Sequence, residues 1–360
     1  MPVSSSAEGR DRRSAPPAGP GARRTFPVRL LLLVPLLLLL LLVTCRWERK
    51  PQGPPGNTLS FRPIPLPGRE ALRGLGPFRL EAIWQLLSHH PKFGGYSALV
   101  PLPGGRLLAI GDRANLLRFS PPGEPPSVPV ITPVSHVRTL DRTGGDSESA
   151  TRDPVTGRVW IGWETKNAIS RHQPGIALPD VANPPAMAKW PENRGAEAIV
   201  RLADGRFIVL REGFGGLDDD AVFGGDHHEA LLFPGDPVDG AVPLKFSFVG
   251  PAGFYPVDIA QIPDGRVLIL MRRLVWPVPT EMAVRIVVAD PAAIRAGGEW
   301  RGKLAAKLNS TLPIDNFEGL AVVPRTDGNL TVWLISDANS AVTQRTLLWR
   351  MALDPRALPR

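Results

Sequence analysis

The chain has 360 residues, 43% of them hydrophobic, and a single cysteine, so it can bury a large core but cannot form an internal disulfide or a cysteine-based zinc cluster. Its formal net charge is +8, but residues 1–50 hold nine Lys and Arg against three Asp and Glu, while the remainder holds 33 against 31. The excess positive charge belongs to the N-terminal tail, and we therefore expect no nucleic-acid-binding surface on the folded part.

The first 45 residues divide into a basic tail and a leucine-rich segment. Residues 1–29 are rich in Ser, Pro, Gly, Ala and Arg and carry too little apolar surface to fold alone, so we predict a disordered tail. Residues 30–45 form an almost unbroken leucine run, which is short for a membrane-spanning helix and long for a signal-peptide core. No small-x-small cleavage motif follows the run, and arginines precede it. We expect a transmembrane anchor or an uncleaved signal in the bacterial inner membrane, with the folded domain facing the periplasm.

A proline-rich segment separates the leucine run from the folded part. Residues 46–77 contain seven prolines, which predict a stiff, extended linker. Residues 78–353 are then the folded domain. At its ends, residues 78–88 and 346–353 have no hairpin partner nearby in the sequence. Because propellers close by combining strands from both termini in one blade, we expect these two segments to pair.

A β-hairpin with the same chemistry recurs five times in this domain. Each copy has an apolar run, a turn that contains a glycine, and a second apolar run rich in β-branched and aromatic residues. The copies cover residues 95–113, 148–164, 195–213, 256–273 and 317–337. Their turn glycines, Gly105, Gly157, Gly205, Gly265 and Gly328, are 52, 48, 60 and 63 residues apart. This interval predicts an all-β fold, a β-propeller of five blades, and residues 221–250 leave a sixth blade open.

Most of the hairpins carry polar residues at the start of their first strand and at the end of their second. Near the start stand Ser97, Glu148, Glu197, Val257 with Asp258, and Glu318, seven to ten residues before the turn glycine. Near the end stand Asp112, Glu164, Glu212, Arg272 and Asp337, seven to nine residues after that glycine. These two positions lie side by side in an antiparallel hairpin. The pattern predicts that each blade brings its pair to one end of the propeller.

The short motifs arrive in an order that resembles a known family. GYSAL, GDR, ESA, EAI with DGR and REG, FYPVDIAQIPDGRVLILMRR, NFEGLAVV and ISDAN are similar to the bacterial phytase-like domain family, described by the esterase-like activity of phytase. The resemblance covers residues 94–353. It implies an exported β-propeller with hydrolytic activity on phosphoesters or esters.

Carboxylates gathered at one mouth of a channel raise one another's pKa and repel, so they need positive charge nearby. Arginines at the hairpin ends, namely Arg113, Arg211 and Arg272, can pair with them or hold a phosphate group of a small-molecule substrate. A hard cation is the other solution, and calcium accepts many oxygen ligands in irregular geometry. We assign Glu148, Glu197 and Glu318 as catalytic carboxylates, and Asp112, Glu164, Glu212, Asp258 and Asp337 as metal ligands. Ala198 and Gly319, beside two of the glutamates, are expected to leave room for a ligand.

Other functions are open at this point. The same carboxylates can lock the ring by accepting backbone hydrogen bonds, in which case the protein is a non-catalytic propeller that binds a ligand or a partner protein. A calcium-dependent enzyme acting on sugars or lactones is a third alternative. The sequence holds no GxSxG, HExxH or GxxxxGK[ST] motif and no GxGxxG after a strand, so neither a Ser-His-Asp esterase nor a dinucleotide cofactor is indicated. We expect a monomer.

Overall fold

The computed structural model describes Pro35 and residues 56–134, 146–192, 194–212, 225–275, 281–338 and 344–360. The tail predicted over 1–29 lies outside the described residues, as does the anchor predicted over 30–45 except for Pro35. In the part of the chain that is described, no helix has the length and apolar character needed to cross a membrane. The fold presented here is that of the unit Trp47–Arg360.

The domain is built from short strands in five separate sheets, joined by turns and a few short helical segments. In chain order the strands are β1 (Ser60–Ile64), β2 (Phe78–Leu87), β3 (Tyr96–Pro101), β4 (Leu107–Gly111), β5 (Asn115–Phe119), β6 (Val130–Pro133), β7 (Ser147–Arg152), β8 (Val159–Trp163), β9 (Ala168–His172), β10 (Asp180–Ala182), β11 (Ala196–Arg201), β12 (Phe207–Arg211), β13 (His227–Phe233), β14 (Leu244–Val249), β15 (Tyr255–Gln261), β16 (Val267–Val275), β17 (Glu281–Ala289), β18 (Glu299–Arg301), β19 (Lys303–Leu308), β20 (Asn316–Pro324), β21 (Leu330–Asp337) and β22 (Leu347–Leu353). The helical segments are α1 (Arg69–Leu72) and the 3-10 turns Arg73–Leu75, Pro103–Gly105, Pro185–Met187, Pro237–Asp239, Pro291–Ala293 and Pro355–Ala357.

The five sheets are the blades of a propeller. Blade 1 is β3 to β6, blade 2 is β7 to β10, blade 3 is β11 to β14 with β18 at its edge, blade 4 is β15 to β17 with β19, and blade 5 is β20 to β22 with β2 and β1. The inner strands β3, β7, β11, β15 and β20 contact one another in that order, and β20 contacts β3. They therefore form a closed ring around a central channel, which confirms the predicted five-bladed propeller.

Blade 5 closes the ring with strands from both ends of the domain. β2 pairs antiparallel with β22, with Phe78 opposite Leu353, as expected from the two segments without hairpin partners. The linker predicted over residues 46–77 is wrong from β1 onward, because β1 pairs with β2 along its whole length. Pro63 is tolerated there because β1 is the edge strand, where a missing N–H breaks no ladder.

Residues 221–250 do not form a sixth blade. Their two described strands, β13 and β14, continue blade 3 outward from β12, with Phe207 of β12 opposite Phe233 of β13. A single hairpin exposes two edges, and pairing with β12 satisfies one of them. β18 then pairs with β14 in the parallel direction.

The core consists of five apolar clusters, one at each interface between neighbouring blades. Alternate residues of an inner strand face opposite neighbours, because side chains alternate across a strand. In β3, Leu99 packs towards blade 5, whereas Ala98 and Val100 pack towards blade 2. Trp349 of β22 is fully buried between blades 4 and 5 and meets Phe317 edge to face at 5.1 Å.

Shortening Trp349 to alanine should destabilise the whole domain, because it empties the interface beside the closing strand. We expect Trp349→Ala to lower the free energy of unfolding by about 3–5 kcal/mol, measured by denaturant unfolding of the full chain. Val242→Ala is the matched control, since that side chain is 81% exposed and its loss should change stability by less than about 0.5 kcal/mol. Equal effects of the two changes would contradict the packing described.

Candidate functional site

Every blade has a β-bulge at the same place in its inner hairpin. The register shifts one residue between Tyr96 and Ala98, Ser147 and Ser149, Ala196 and Ala198, Pro256 and Asp258, and Phe317 and Gly319. The bulged residues are therefore Ser97, Glu148, Glu197, Val257 and Glu318. A bulge leaves its extra residue unpaired and re-aims its side chain. Three blades use this device to aim a glutamate.

The bulged glutamates meet carboxylates at or just after the ends of the second strands, and also Asp146, which precedes β7. We call this group the acidic mouth, and its members are Asp112, Asp146, Glu148, Glu164, Glu197, Glu212, Glu318 and Asp337. The charges of neighbouring members act on the pKa of Asp112, Glu148, Glu164, Glu197 and Glu318. Residues from blades 1, 2, 3 and 5 thus lie together at one end of the channel.

Two triads within the acidic mouth have the spacing of a metal site. Asp146, Glu148 and Glu164 form one, and Glu164, Glu197 and Glu212 form the other, with ligand oxygens within 4.8 Å of one another in each. Glu164 belongs to both. The donors are carboxylate oxygens throughout, which is the set that a hard divalent cation takes. Asp146 was missed by the sequence reasoning, although it stands two residues before Glu148, a spacing that puts both on one side of an extended chain.

Burial is the main cause of the raised pKa values in the acidic mouth. It raises the pKa of Glu148 and Glu197 well above the usual range, and neighbouring carboxylates add to the effect. Burial also raises the pKa of Glu164 and of Glu318 to about 7, and that of Asp112 to about 6. Near neutral pH, part of this group therefore holds protons.

The protons are shared between pairs of carboxyl groups. Glu197 donates a hydrogen bond to Glu164, which lowers the pKa of Glu164 against the larger effect of its burial. Glu148 shares a second hydrogen bond, with Asp146, and this bond raises the pKa of Glu148. A carboxyl group can donate only when protonated. Each of these two hydrogen bonds therefore needs one protonated carboxyl group.

Arg272 neutralises the opposite side of the mouth. Its Nη1 lies 2.7 Å from Oε1 of Glu318, and its Nη2 lies 3.7 Å from Oε1 of Glu212. Asn316 completes the network, accepting from Nη1 of Arg272 and donating to Glu318, each at 2.7 Å. No positive group is among the main influences on the pKa of Glu148 or Glu164. Arg272 also lowers the pKa of Glu197 in blade 3, so the carboxylates without a positive group among these influences lie at blade 2.

The other predicted arginines lie at the edge of the mouth or beyond it. Arg113 is exposed, and its charge lowers the pKa of Asp112 against the larger effect of burial. Arg211 turns towards the next strand of blade 3, with its Nη1 3.4 Å from Oε2 of Glu229 and its Nε donating to the carbonyl of Arg194. Arg113 is thus the more accessible of the two.

Asp258 has a different environment from the other predicted metal ligands. Its Oδ1 accepts the N–H of Ile259 at 2.8 Å, and its Oδ2 accepts the N–H of Leu320 at 2.6 Å. It also accepts the N–H of Leu99. These bonds join β15 to β20 and β3 across the channel. Among the described residues Asp258 belongs to neither triad, and we assign it a structural role.

Small residues beside the glutamates serve packing. A Cβ on Gly319 would lie 2.5 Å from Cγ2 of Ile335 and 2.9 Å from Cβ of Leu99, so this position is small because the inner strands approach closely. Ala198 is fully buried in the core of blades 3 and 4. The expectation that these two residues leave room for a ligand is therefore wrong.

Two of the serines near the mouth link neighbouring blades. Ser147 donates to the carbonyl of Gly111 at 2.7 Å, and Ser149 donates to the carbonyl of Ala196. These two hydroxyls are fully buried and engaged, so they are not available as nucleophiles.

Fold and site define a five-bladed β-propeller with a buried carboxylate cluster at one mouth of its channel. The chain belongs to the Phytase-like family, described as "Esterase-like activity of phytase", which it matches over residues 91–340. No curated protein matches the sequence.

Solved structures that superpose on this chain share little of its sequence. Glutaminyl cyclase from Myxococcus xanthus is 12% identical with a TM-score of 0.41, and the match covers 77% of this chain and 97% of that one. A nidogen/laminin complex chain is 13% identical with a TM-score of 0.40, at 77% and 97% coverage. Hydrazine synthase from Kuenenia stuttgartiensis is 12% identical with a TM-score of 0.34, covering 68% of this chain and 56% of that chain.

The raised pKa of Glu164 predicts that the metal-free protein loses stability as the pH rises. The folded state keeps a proton up to about pH 7, which an unfolded chain releases near its usual pKa of 4.5. The free energy of unfolding therefore falls progressively as the pH rises from about 4.5 to about 7. The loss of unfolding free energy between pH 5 and pH 8 should be smaller in Glu164→Gln by roughly 1–3 kcal/mol. Both proteins are measured by unfolding in the presence of a chelator. Glu192→Gln, an exposed control, should leave the pH dependence unchanged; an unchanged slope in Glu164→Gln would contradict the prediction.

Proposed function

We propose that this protein is a hydrolase of phosphoesters or esters that uses a divalent cation, most simply calcium, held at the acidic mouth. Membership of the Phytase-like family makes hydrolysis plausible. The observation that carries the cation is the pair of carboxylate triads sharing Glu164. Among the described residues Arg272 pairs with Glu212, but no arginine pairs with Asp146, Glu148 or Glu164, and a cation would replace the proton that bridges Glu197 and Glu164.

The residues of the mouth divide into three roles in this proposal. Asp146, Glu164, Glu197 and Glu212 would hold the cation, which supplies Lewis acidity towards a phosphoryl or acyl oxygen when bound. Burial raises the pKa of Glu148 well above its usual range, so Glu148 suits proton donation to a leaving group. Arg272 fixes Glu318 in place.

Substrate recognition in this proposal rests on the exposed arginine at the rim. Arg113 is accessible, and a guanidinium can hold a phosphate group in a bidentate fork. Arg272 is bonded to Glu318 and Asn316, so it would contact a substrate only by giving up those bonds. The acidic mouth repels a bare phosphate ester, and a bound cation removes that repulsion.

The setting proposed for this activity is the periplasmic side of a bacterial inner membrane, where residues 30–45 would anchor a monomeric domain. The motivation is the leucine run and its arginine-rich flank. Membrane fractionation with protease protection of the native protein would test this placement. Extraction of the protein by high salt alone would contradict the anchor.

Calcium binding should release a proton, because the shared carboxyl pair of Glu197 and Glu164 must give up its proton. We expect calorimetry of the full chain at pH 6.5, in buffers of different ionisation enthalpy, to show roughly one proton released per ion. Affinity should rise with pH up to about 7, the value to which burial raises the pKa of Glu164. Glu164→Gln should abolish binding, since it removes a ligand from both triads.

Glu318→Gln is the matched control for this experiment, because Glu318 is already paired with Arg272 and belongs to neither triad among the described residues. It should keep calcium affinity within about threefold. Turnover of p-nitrophenyl phosphate against p-nitrophenyl acetate then distinguishes phosphoesters from esters. Calcium binding without turnover of either would favour a non-catalytic binding propeller, and absence of binding would contradict the proposal.

A further inference from the structure

A second cavity lies at the end of the channel opposite the acidic mouth. Its volume is about 780 Å³, and the C-terminal ends of the inner strands line it through residues such as Leu99, Val200, Ile259 and Leu320. Pockets for small molecules have volumes of about 300–1,000 Å³. The cavity is therefore large enough for a small ligand, and none of its lining residues belongs to the acidic mouth.

Asp258 stands between the two ends of the channel. The three residues whose N–H groups it accepts, Leu99, Ile259 and Leu320, all line the inner end of the cavity. Because these bonds span β15, β20 and β3, they bridge the channel at this level. The cavity and the acidic mouth are thus two chemically different sites on one axis.

The wall of the cavity is apolar and offers few free hydrogen-bonding groups. Its rim includes Pro101, Pro103, Pro154 and Pro324, which have no N–H to donate. Gln261 is engaged at both ends of its amide, accepting from the N–H of Ala203 at 2.7 Å and donating to the carbonyl of Gly265 at 3.0 Å. A ligand with a polar body would find few partners here.

Among the described residues, the charged groups at the rim leave one positive charge without a partner. Arg201 has its Nη1 3.8 Å from Oδ1 of Asp153, so these two charges offset each other. Arg152 also lines the cavity, and within the residues that the structure describes its guanidinium has neither an ion pair nor a hydrogen bond. Two arginines and one aspartate give a net charge of +1 at the rim.

We propose that this cavity binds a small apolar monoanion, with its hydrocarbon body against the inner strands and its carboxylate on Arg152. The apolar wall accounts for the body, and the guanidinium of Arg152, which is unpaired among the described residues, accounts for one negative charge. The proposal does not depend on hydrolysis or on a cation at the acidic mouth.

Octanoate is the probe that tests this site, with octanamide as its neutral counterpart of the same length. Binding is measured by calorimetry on the full chain in chelator, so that no cation is present at the acidic mouth. We expect octanoate to bind more tightly than octanamide. Arg152→Met should weaken octanoate by roughly 10- to 100-fold, the value of a charge-assisted hydrogen bond, and leave octanamide unchanged.

Two further variants keep the test independent of folding and of binding elsewhere. Ala203→Trp, at an exposed position on the cavity rim, should weaken both probes by filling the space. Arg118→Met removes an exposed arginine of β5 outside the cavity and should change neither. The proposal would be overturned if octanoate did not bind the native protein, or if it bound the native protein and Arg152→Met equally tightly. It would also be overturned if Ala203→Trp left octanoate binding unchanged.

Discussion

The pairing of β2 with β22 closes the ring of blades, and the acidic mouth depends on that closure. Once the ring is closed, five inner strands must converge on one channel. Each blade then contributes a bulged residue and a residue seven to nine positions after its turn glycine. Because the sequence places carboxylates at most of these positions, closure forces like charges together in a buried space, where they are unfavourable unless neutralised.

The protein meets this charge in different ways on the two sides of the mouth. At blades 4 and 5, Arg272 and Asn316 neutralise and orient Glu318. At blades 2 and 3, protons shared by Glu197 with Glu164 and by Glu148 with Asp146 take that role. Shared protons hold carboxyl groups together only while the pH is low enough, whereas a divalent cation would do so at neutral pH. This asymmetry is the physical basis for placing a cation beside Glu164.

The turn glycines and the residues at fixed offsets from them predicted much of the fold and of the mouth. The offsets of Ser97, Glu148, Glu197, Val257 and Glu318 coincide with the five bulges, because a hairpin repeats its local geometry. Contacts between blades could not be predicted this way. The hydrogen bonds from Leu320 and Leu99 to Asp258, and the packing of Gly319 against Leu99, depend on how separate blades are staggered. The prolines around β1 indicated a linker. The strand could not be recognised from its own residues, because it is formed by pairing with β2, which lies later in the chain.

The central claim is that the acidic mouth holds a divalent cation between blades 2 and 3. A crystal structure of the protein grown with calcium at pH 7.5 tests it most directly. We predict an ion coordinated by Glu164 and by members of both triads at about 2.3–2.6 Å, with the ion pair of Arg272 and Glu318 unchanged. A mouth that stays free of calcium, with Glu197 and Glu164 still within hydrogen-bond distance of each other, would contradict the account and favour a scaffold held by shared protons.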